Sequence, residues 1–230
     1  MSSTRLPGKV LADLAGAPMI LRQIERLRRC EQLQRIVVAT SDQPTDDPLA
    51  ARLEVAGVPV FRGSLDDVLG RFIGAIDAFG PVRTVVRLTA DCPLADPQLI
   101  DETLKLHLRS GADYTSNTPT RRSYPKGLDV EIFEAAALKI AAGETVDPYD
   151  REHVTPFLYR HPGRFQIAGL EQAADDGDVR WTVDRPDDLD FVRAVYDGLH
   201  AANPAFTSNE VRAFVAGRPD LIQMGGDRRA

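Results

Sequence analysis

Cysteine is scarce. Cys30 and Cys92 are the only two in 230 residues, far apart and outside any metal-ligand spacing. That excludes a disulfide-stapled scaffold and a cysteine zinc site, and it fits reduced thiols in a cytoplasm. No apolar run approaches the roughly 20 residues a helix needs to cross a bilayer, and no secretory signal precedes the first residues. Positive charge is not in excess: 28 Lys and Arg stand against 34 Asp and Glu, for a net −6 and a pI near 5.3. Such a balance argues against a general nucleic-acid or anionic-membrane binder. The basic clusters at Arg22 to Arg29 and at Arg121-Arg122 read as solvated faces. His107, His161 and His200 fall at helix faces or ends and suggest no catalytic role. Repeats, low-complexity tracts and a domain linker are also lacking, so 43% hydrophobic residues over this length imply one domain with a self-sufficient core.

What is present is an alternation of helix and strand signals, the mark of an α/β sheet. Pro18 suits a first helical turn, with Ile20, Ile24 and Leu27 on one face. Ile36 to Thr40 reads as a buried strand, Asp47-Pro48 as a helix start closed by Gly57, and Val58 to Phe61 as a short strand. Ser64 to Asp67 carries a capping-box pattern before the apolar side Val68, Leu69, Phe72, Ile73 and Ile76. Val82 to Thr89 is the strongest strand of the first half and stops at Pro93. Asp96-Pro97 starts a helix with Ile100, Leu104 and Leu108, ending near Gly111. Residues 117–133 break the rhythm with a basic loop and a Tyr-Pro-Lys-Gly turn, which predicts a projecting β-arm. A helix over 148–159, strands at 165–168 and 180–183, a helix over 186–199 and a last helix capped by Ser208 follow. Residues 1–222 form the expected domain, and 223–230 a disordered tail.

Three segments carry chemistry. The opening Ser2-Ser3-Thr4-Arg5-Leu6-Pro7-Gly8-Lys9 combines hydroxyls, a rigid turn and two cations, a set suited to wrapping main-chain N–H groups around phosphates. Asp91 follows the strand 82–89 and Asp184 follows the strand 180–183, at the carboxyl ends where open α/β sheets bind ligands. Read alone, both aspartates also serve as turn or cap residues, and a short basic loop is common on any surface.

Together these segments resemble the cytidylyltransferases that activate sugars. The opening loop is similar to their "ARMxSTRLPGK" signature, above all in the spore-coat polysaccharide branch, and to the loop of the enzymes that make CMP-KDO and CMP-acylneuraminate. Leu88 to Leu94 is similar to the family's "xxDxP" segment and Trp181 to Leu189 to its "D-x-P-x-D-L" ending. Gly63 to Phe72 resembles "G-x-x-D-D-V-L-x-R", Pro125 to Glu131 resembles "P-x-G-L-D-V-E", and Arg151 to Pro156 resembles "R-E-H-V-T-P". The resemblance runs in order from residue 2 to about 190.

It implies a three-layer, Rossmann-like nucleotidyltransferase fold of GT-A type with a mostly parallel mixed sheet. It also implies a first strand, ahead of the opening loop, that the sequence as given does not contain. The implied reaction joins CTP and a sugar, acidic or nonulosonate-type, into a CMP-sugar and pyrophosphate. Arg5, Lys9, Asp91 and Asp184 are its implied catalytic residues, with Asp91 and Asp184 holding Mg²⁺. Ser3, Thr4, Arg5, Lys9, Thr89, Asp67 and Arg71 are assigned to the nucleotide; Lys126, Asp129, Glu131, Arg151 and His153 to the sugar. Alternation along 128–131 places Asp129 and Glu131 on one face, opposite Leu128 and Val130. A cytoplasmic homodimer pairing through 117–133, without nucleic-acid or membrane partners, completes the expectation. The competing readings are a glycosyltransferase consuming a nucleotide sugar, which lacks a D-x-D pair here, and a non-catalytic nucleotide-binding protein.

Overall fold

The chain, as a computed structural model, is described at residues 3, 5–118, 121–222 and 224. A 3-10 turn at Lys9–Leu11 leads into a small hairpin, β1 (Asp13–Leu14) with β2 (Ala17–Pro18), and then α1 (Met19–Leu27). Next come β3 (Val38–Ser41), α2 (Asp47–Val55) and β4 (Val60–Gly63), with β3 and β4 parallel. α3 (Val68–Phe79), β5 (Thr84–Arg87), α4 (Pro97–Ser110), β6 (Tyr114–Ser116) and β7 (Glu131–Glu134) follow. The chain continues through α5 (Ala135–Glu144), α6 (Pro148–His153), α7 (Pro156–Tyr159), β8 (Ile167–Gly169), α8 (Pro186–Leu199) and α9 (Ser208–Ala216).

The four-stranded sheet runs β5-β7-β6-β8. Because β7 runs against both β5 and β6, while β6 and β8 are parallel, the sheet is mixed rather than mostly parallel. Strand alternation sorts side chains into two cores, one on each face. Val86 and Ile132 join α1, α2, α4, α8 and α9 around Ile24, Leu53, Ile100, Val192 and Val211. Val85 and Phe133 join α3, α5 and α7 around Leu69, Leu138 and Leu158. Helices on both faces of one sheet make the three layers. Among the described residues, β3 and β5 each have an edge with no strand bonded to it.

Several expectations are corrected. Over 117–118 and 121–130 the described residues do not project as a β-arm: Asn117, Ser123, Tyr124, Leu128 and Val130 are buried, and extended pairing begins only at Glu131. Burial of those side chains against the main core holds the segment down, and its apolar residues are committed within the chain. Residues 180–183 form no strand beyond a single bridge between Lys126 and Arg180. The helix over 148–159 is two helices, divided at Val154 with φ 76°. The Ala-rich α5 escaped the pattern because most of its residues are small and its apolar face is poorly marked. Thr207 rather than Ser208 caps α9. The expected tail lies, apart from Met224, outside the described residues.

Candidate active site

Two turns bring the site's carboxylates together. Asp91 lies just past β5, and Asp184 lies just before α8. Their chains are stitched directly: the Val183 N–H donates to the Asp91 carbonyl at 2.8 Å, and the Thr182 hydroxyl reaches the same oxygen at 3.4 Å. Gly127 supports the stitch from outside. It has φ 107°, and a Cβ there would stand 2.6 Å from the Thr182 nitrogen, so only glycine lets this loop lie against 181–182. The Lys126 and Trp181 backbones bond across that contact at 2.7 Å.

Into the gap reaches Lys9, carried by the 3-10 turn that starts after Gly8 in a left-handed conformation (φ 74°). Its ammonium donates to the Val183 carbonyl at 2.6 Å and to Asp184 Oδ1 at 3.0 Å, and sits 3.4 Å from Asp91 Oδ2. Arg5 pairs with the same Asp184 oxygen at 3.2 Å from a more exposed position. Arg180, one helical turn earlier in sequence, closes on Asp184 Oδ2. Asp188 completes the set from the first turn of α8: one carboxylate oxygen accepts the Asp184 and Arg185 N–H groups at 2.9 Å each. Burial alone would raise the Asp184 pKa, but hydrogen bonds and charge from Arg180 and Lys9 outweigh it and hold the carboxyl below its usual range. Side-chain exposure of 12% for Lys9 and 15% for Asp184 keeps these charges little screened.

A cavity of about 360 Å³ opens over this cluster, lined by Ser3, Gly8, Lys9, Arg71, Thr89 and Asp91 among others. The expected catalytic four, Arg5, Lys9, Asp91 and Asp184, thus meet, and Ser3, Thr89 and Arg71 line the same cavity as Lys9 and Asp91. Thr4 lies outside the described residues. Arg71 donates to the Ser64 carbonyl at 2.7 Å, and its buried Nε has no partner among the described residues.

The remaining expected residues fall into separate groups. Asp67 caps α3 through the Gly70 N–H at 2.9 Å and pairs with Arg151 at 3.4 Å, so that ion pair ties α6 to the start of α3. Glu131 sits across from Arg87 in register and accepts from Arg87, from the Tyr114 hydroxyl at 2.8 Å and from the Thr155 hydroxyl. Asp129 forms a forked pair with Arg122. Lys126 contributes backbone bonds, and the exposed His153 ring packs on Tyr149 with centroids 4.2 Å apart. Sequence reasoning missed Arg180, Asp188, Arg87 and Arg122 as site partners. For Arg180 and Asp188 a signal was available, since each stands four residues from Asp184.

Among the described residues no group of three or more His, Cys, Asp and Glu side chains could hold a metal ion. The two converging carboxylates and the Val183 carbonyl nonetheless form an oxygen-lined position already filled by a cation, the Lys9 ammonium. A divalent ion that draws its other ligands from phosphate fits such a donor set.

Known proteins resemble this chain along most of its length. The family model described as cytidylyltransferase matches residues 1–212. The spore coat polysaccharide biosynthesis protein SpsF of Bacillus subtilis (strain 168) is 33% identical over 227 residues, covering 96% of this chain and 92% of that protein. A 3-deoxy-manno-octulosonate cytidylyltransferase of Rhizobium johnstonii is 27% identical over 206 residues, covering 86% and 81%. A solved cytidylyltransferase of Leptospira borgpetersenii serovar Hardjo-bovis superposes with TM-score 0.90 at 28% identity, covering 97% of this chain and 93% of that one. A CMP-2-keto-3-deoxy-manno-octonic acid synthetase solved with CTP shares the fold, with TM-score 0.64 at 18% identity over 86% and 95%. The chain belongs to the cytidylyltransferase family. Among the described residues no helix is long and apolar enough to cross a membrane.

Proposed function

We propose that the protein transfers the cytidylyl group of CTP to an acidic, nonulosonate-type sugar for surface polysaccharide or glycan synthesis in the cytoplasm. A sugar oxygen attacks the α-phosphorus, the bond to the bridging oxygen breaks, and pyrophosphate leaves with that electron pair while the hydroxyl proton is lost to solvent. The observation that carries the reading is the convergence of Asp91 and Asp184 on one cation position under the loop of Ser3, Arg5 and Lys9. The 3-deoxy-manno-octulosonate relatives support the choice of triphosphate and of an acidic acceptor, and SpsF supports the polysaccharide setting.

In this reading Arg5 and Lys9 neutralise the departing phosphates, and no covalent intermediate is needed, so positioning and charge carry catalysis. Asp91 and Asp184 would hold Mg²⁺ with phosphate oxygens, and the ion would supply Lewis-acid polarisation of the α-phosphate. Thr89 and Arg71 border the nucleotide. Asp129 and Glu131, held by Arg122 and Arg87, form the wall facing the sugar, with Lys126, Arg151 and His153 beyond.

A screen of triphosphates against acidic and neutral sugars, read by pyrophosphate release, tests the proposal. CTP with an acidic sugar should be the productive pair. Release only with neutral sugars would overturn the acceptor class. Asp91→Asn should slow release about 10²–10³-fold with an unchanged far-UV spectrum; wild-type rates from that variant would remove Asp91 from the chemistry.

A further inference from the structure

We propose that Lys9 is a placeholder cation: in the nucleotide-free protein its ammonium occupies the divalent-ion position between Asp91 and Asp184, and it yields that position only when a triphosphate arrives. The inference rests on the metal reading above and adds an order of binding to it.

The geometry leaves little room for another arrangement. An ammonium group has three N–H donors. Three oxygens surround this one, at 2.6 Å (Val183 carbonyl), 3.0 Å (Asp184) and 3.4 Å (Asp91). No donor is left over for a phosphate oxygen while the lysine stays where it is. A hard divalent ion seeks carboxylate oxygens at about 2.0–2.1 Å, well inside the space the ammonium fills. Two cations within a few ångströms in a mostly buried site repel strongly, because little solvent screens them. The two carboxylates are therefore offered to a metal only after Lys9 leaves.

Something must take Lys9 when it leaves, and the cavity supplies the direction. Lys9 lines the same open space as Ser3, Gly8, Arg71 and Thr89, where the triphosphate is placed in the reading above. A triphosphate gives the ammonium a denser set of acceptors than the carboxylates it releases. Exchange of partners then moves the lysine onto phosphate and frees Asp91 and Asp184 in a single event. Arg180 stays on the other Asp184 oxygen, Oδ2, so the carboxylate is still held in place when the lysine departs. The device would keep a half-buried pair of carboxylates neutralised in the resting protein and keep free metal out of an unproductive site.

Manganese(II), a hard ion that accepts the same oxygen ligands, is the probe, and free ion is read by electron paramagnetic resonance without nucleotide. Wild-type protein should take up Mn²⁺ no better than Asp91→Asn, whereas Lys9→Met should bind it at least tenfold more tightly, with the gain lost in the double variant Lys9→Met with Asp91→Asn. Adding a non-hydrolysable α,β-methylene CTP analogue to wild type should bring Mn²⁺ uptake that Asp91→Asn lacks. Nucleotide-free wild type binding Mn²⁺ as tightly as Lys9→Met, in an Asp91-dependent way, would overturn the placeholder and leave the metal reading intact. Absence of Asp91-dependent binding in every protein, analogue included, would overturn both. Should Lys9→Met not fold, Lys9→Gln, which removes the charge and keeps a polar end, takes its place in the same comparison.

Discussion

At the scale of single residues, Asp188 shows how a site is held by groups that need not touch substrate. It is buried, and one of its oxygens accepts the backbone N–H groups of Asp184 and Arg185 at 2.9 Å, while Arg180 approaches at 3.4 Å. Those bonds fix the turn from which the Asp184 side chain projects. Asp188→Ala removes the charged acceptor of two part-buried N–H groups, at about 1.5–3 kcal/mol. Urea unfolding should show that loss, and pyrophosphate release should fall with it as Asp184 is no longer oriented. Full activity together with full stability in this variant would contradict the positioning role. Asp91 and Asp184 were legible in the sequence because each follows a strand-like run and matches a family segment. Arg87 and Arg122 were not, since their roles come from cross-strand register and loop packing that spacing along the chain does not encode.

At the scale of elements, turn and cap chemistry tied local sequence to structure well. α1 buries Ile20, Ile24 and Leu27 as its spacing predicts, and Gly111 ends α4 in a left-handed conformation. Asp96 caps α4 through the Gln98 N–H at 3.0 Å, and its other oxygen accepts the Ser208 N–H at 2.7 Å. One buried carboxylate therefore caps α4 and also fastens the start of α9, which packs on α8 behind Asp184. Asp96→Ala should cost about 2 kcal/mol, toward the upper end of cap losses, because a second element loses its partner. Asp96→Asn, which keeps acceptor oxygen for one of the two donors, should lose less; equal losses in both, measured by thermal or urea melts, would refute this account. The failures at this scale have physical causes. α5 is rich in alanine, which favours helix but marks no face. The segment 117–133 reads as an arm from its basic loop and Tyr-Pro-Lys-Gly turn, yet Tyr124, Leu128 and Val130 found a place in the core.

At the scale of the whole molecule, half-buried acids with basic or hydrogen-bonding partners set the response to pH. Burial tends to raise the pKa of Asp184, Glu134 and Glu25, but Arg180 with Lys9, Arg83 with Thr84 and His107, and Arg22 with Arg29 outweigh it and lower all three. Each carboxyl then has a folded pKa below its unfolded value of about 3.9 for Asp or 4.3 for Glu. Their stabilisation is fully present above those unfolded values and is lost as pH falls through the folded ones. Urea midpoints should hold level from pH 7 to about 5 and decline below about pH 4. A midpoint that rises on acidification would show that these pairs do not stabilise the fold.

The alternation of apolar and polar residues was enough to settle that this chain folds into layers of helix and sheet, because burial of one face of each element is a local, periodic property. The family segments, read in order, also pointed to Arg5, Lys9, Asp91 and Asp184, which the folded chain brings together. Only the tertiary structure decided how those side chains stand to one another. The bond from the Val183 N–H to the Asp91 carbonyl, the close approach at Gly127 and the seat of the Lys9 ammonium between two aspartates join residues 54 and more positions apart. Contacts of that range depend on packing of the whole chain, so no local pattern records them.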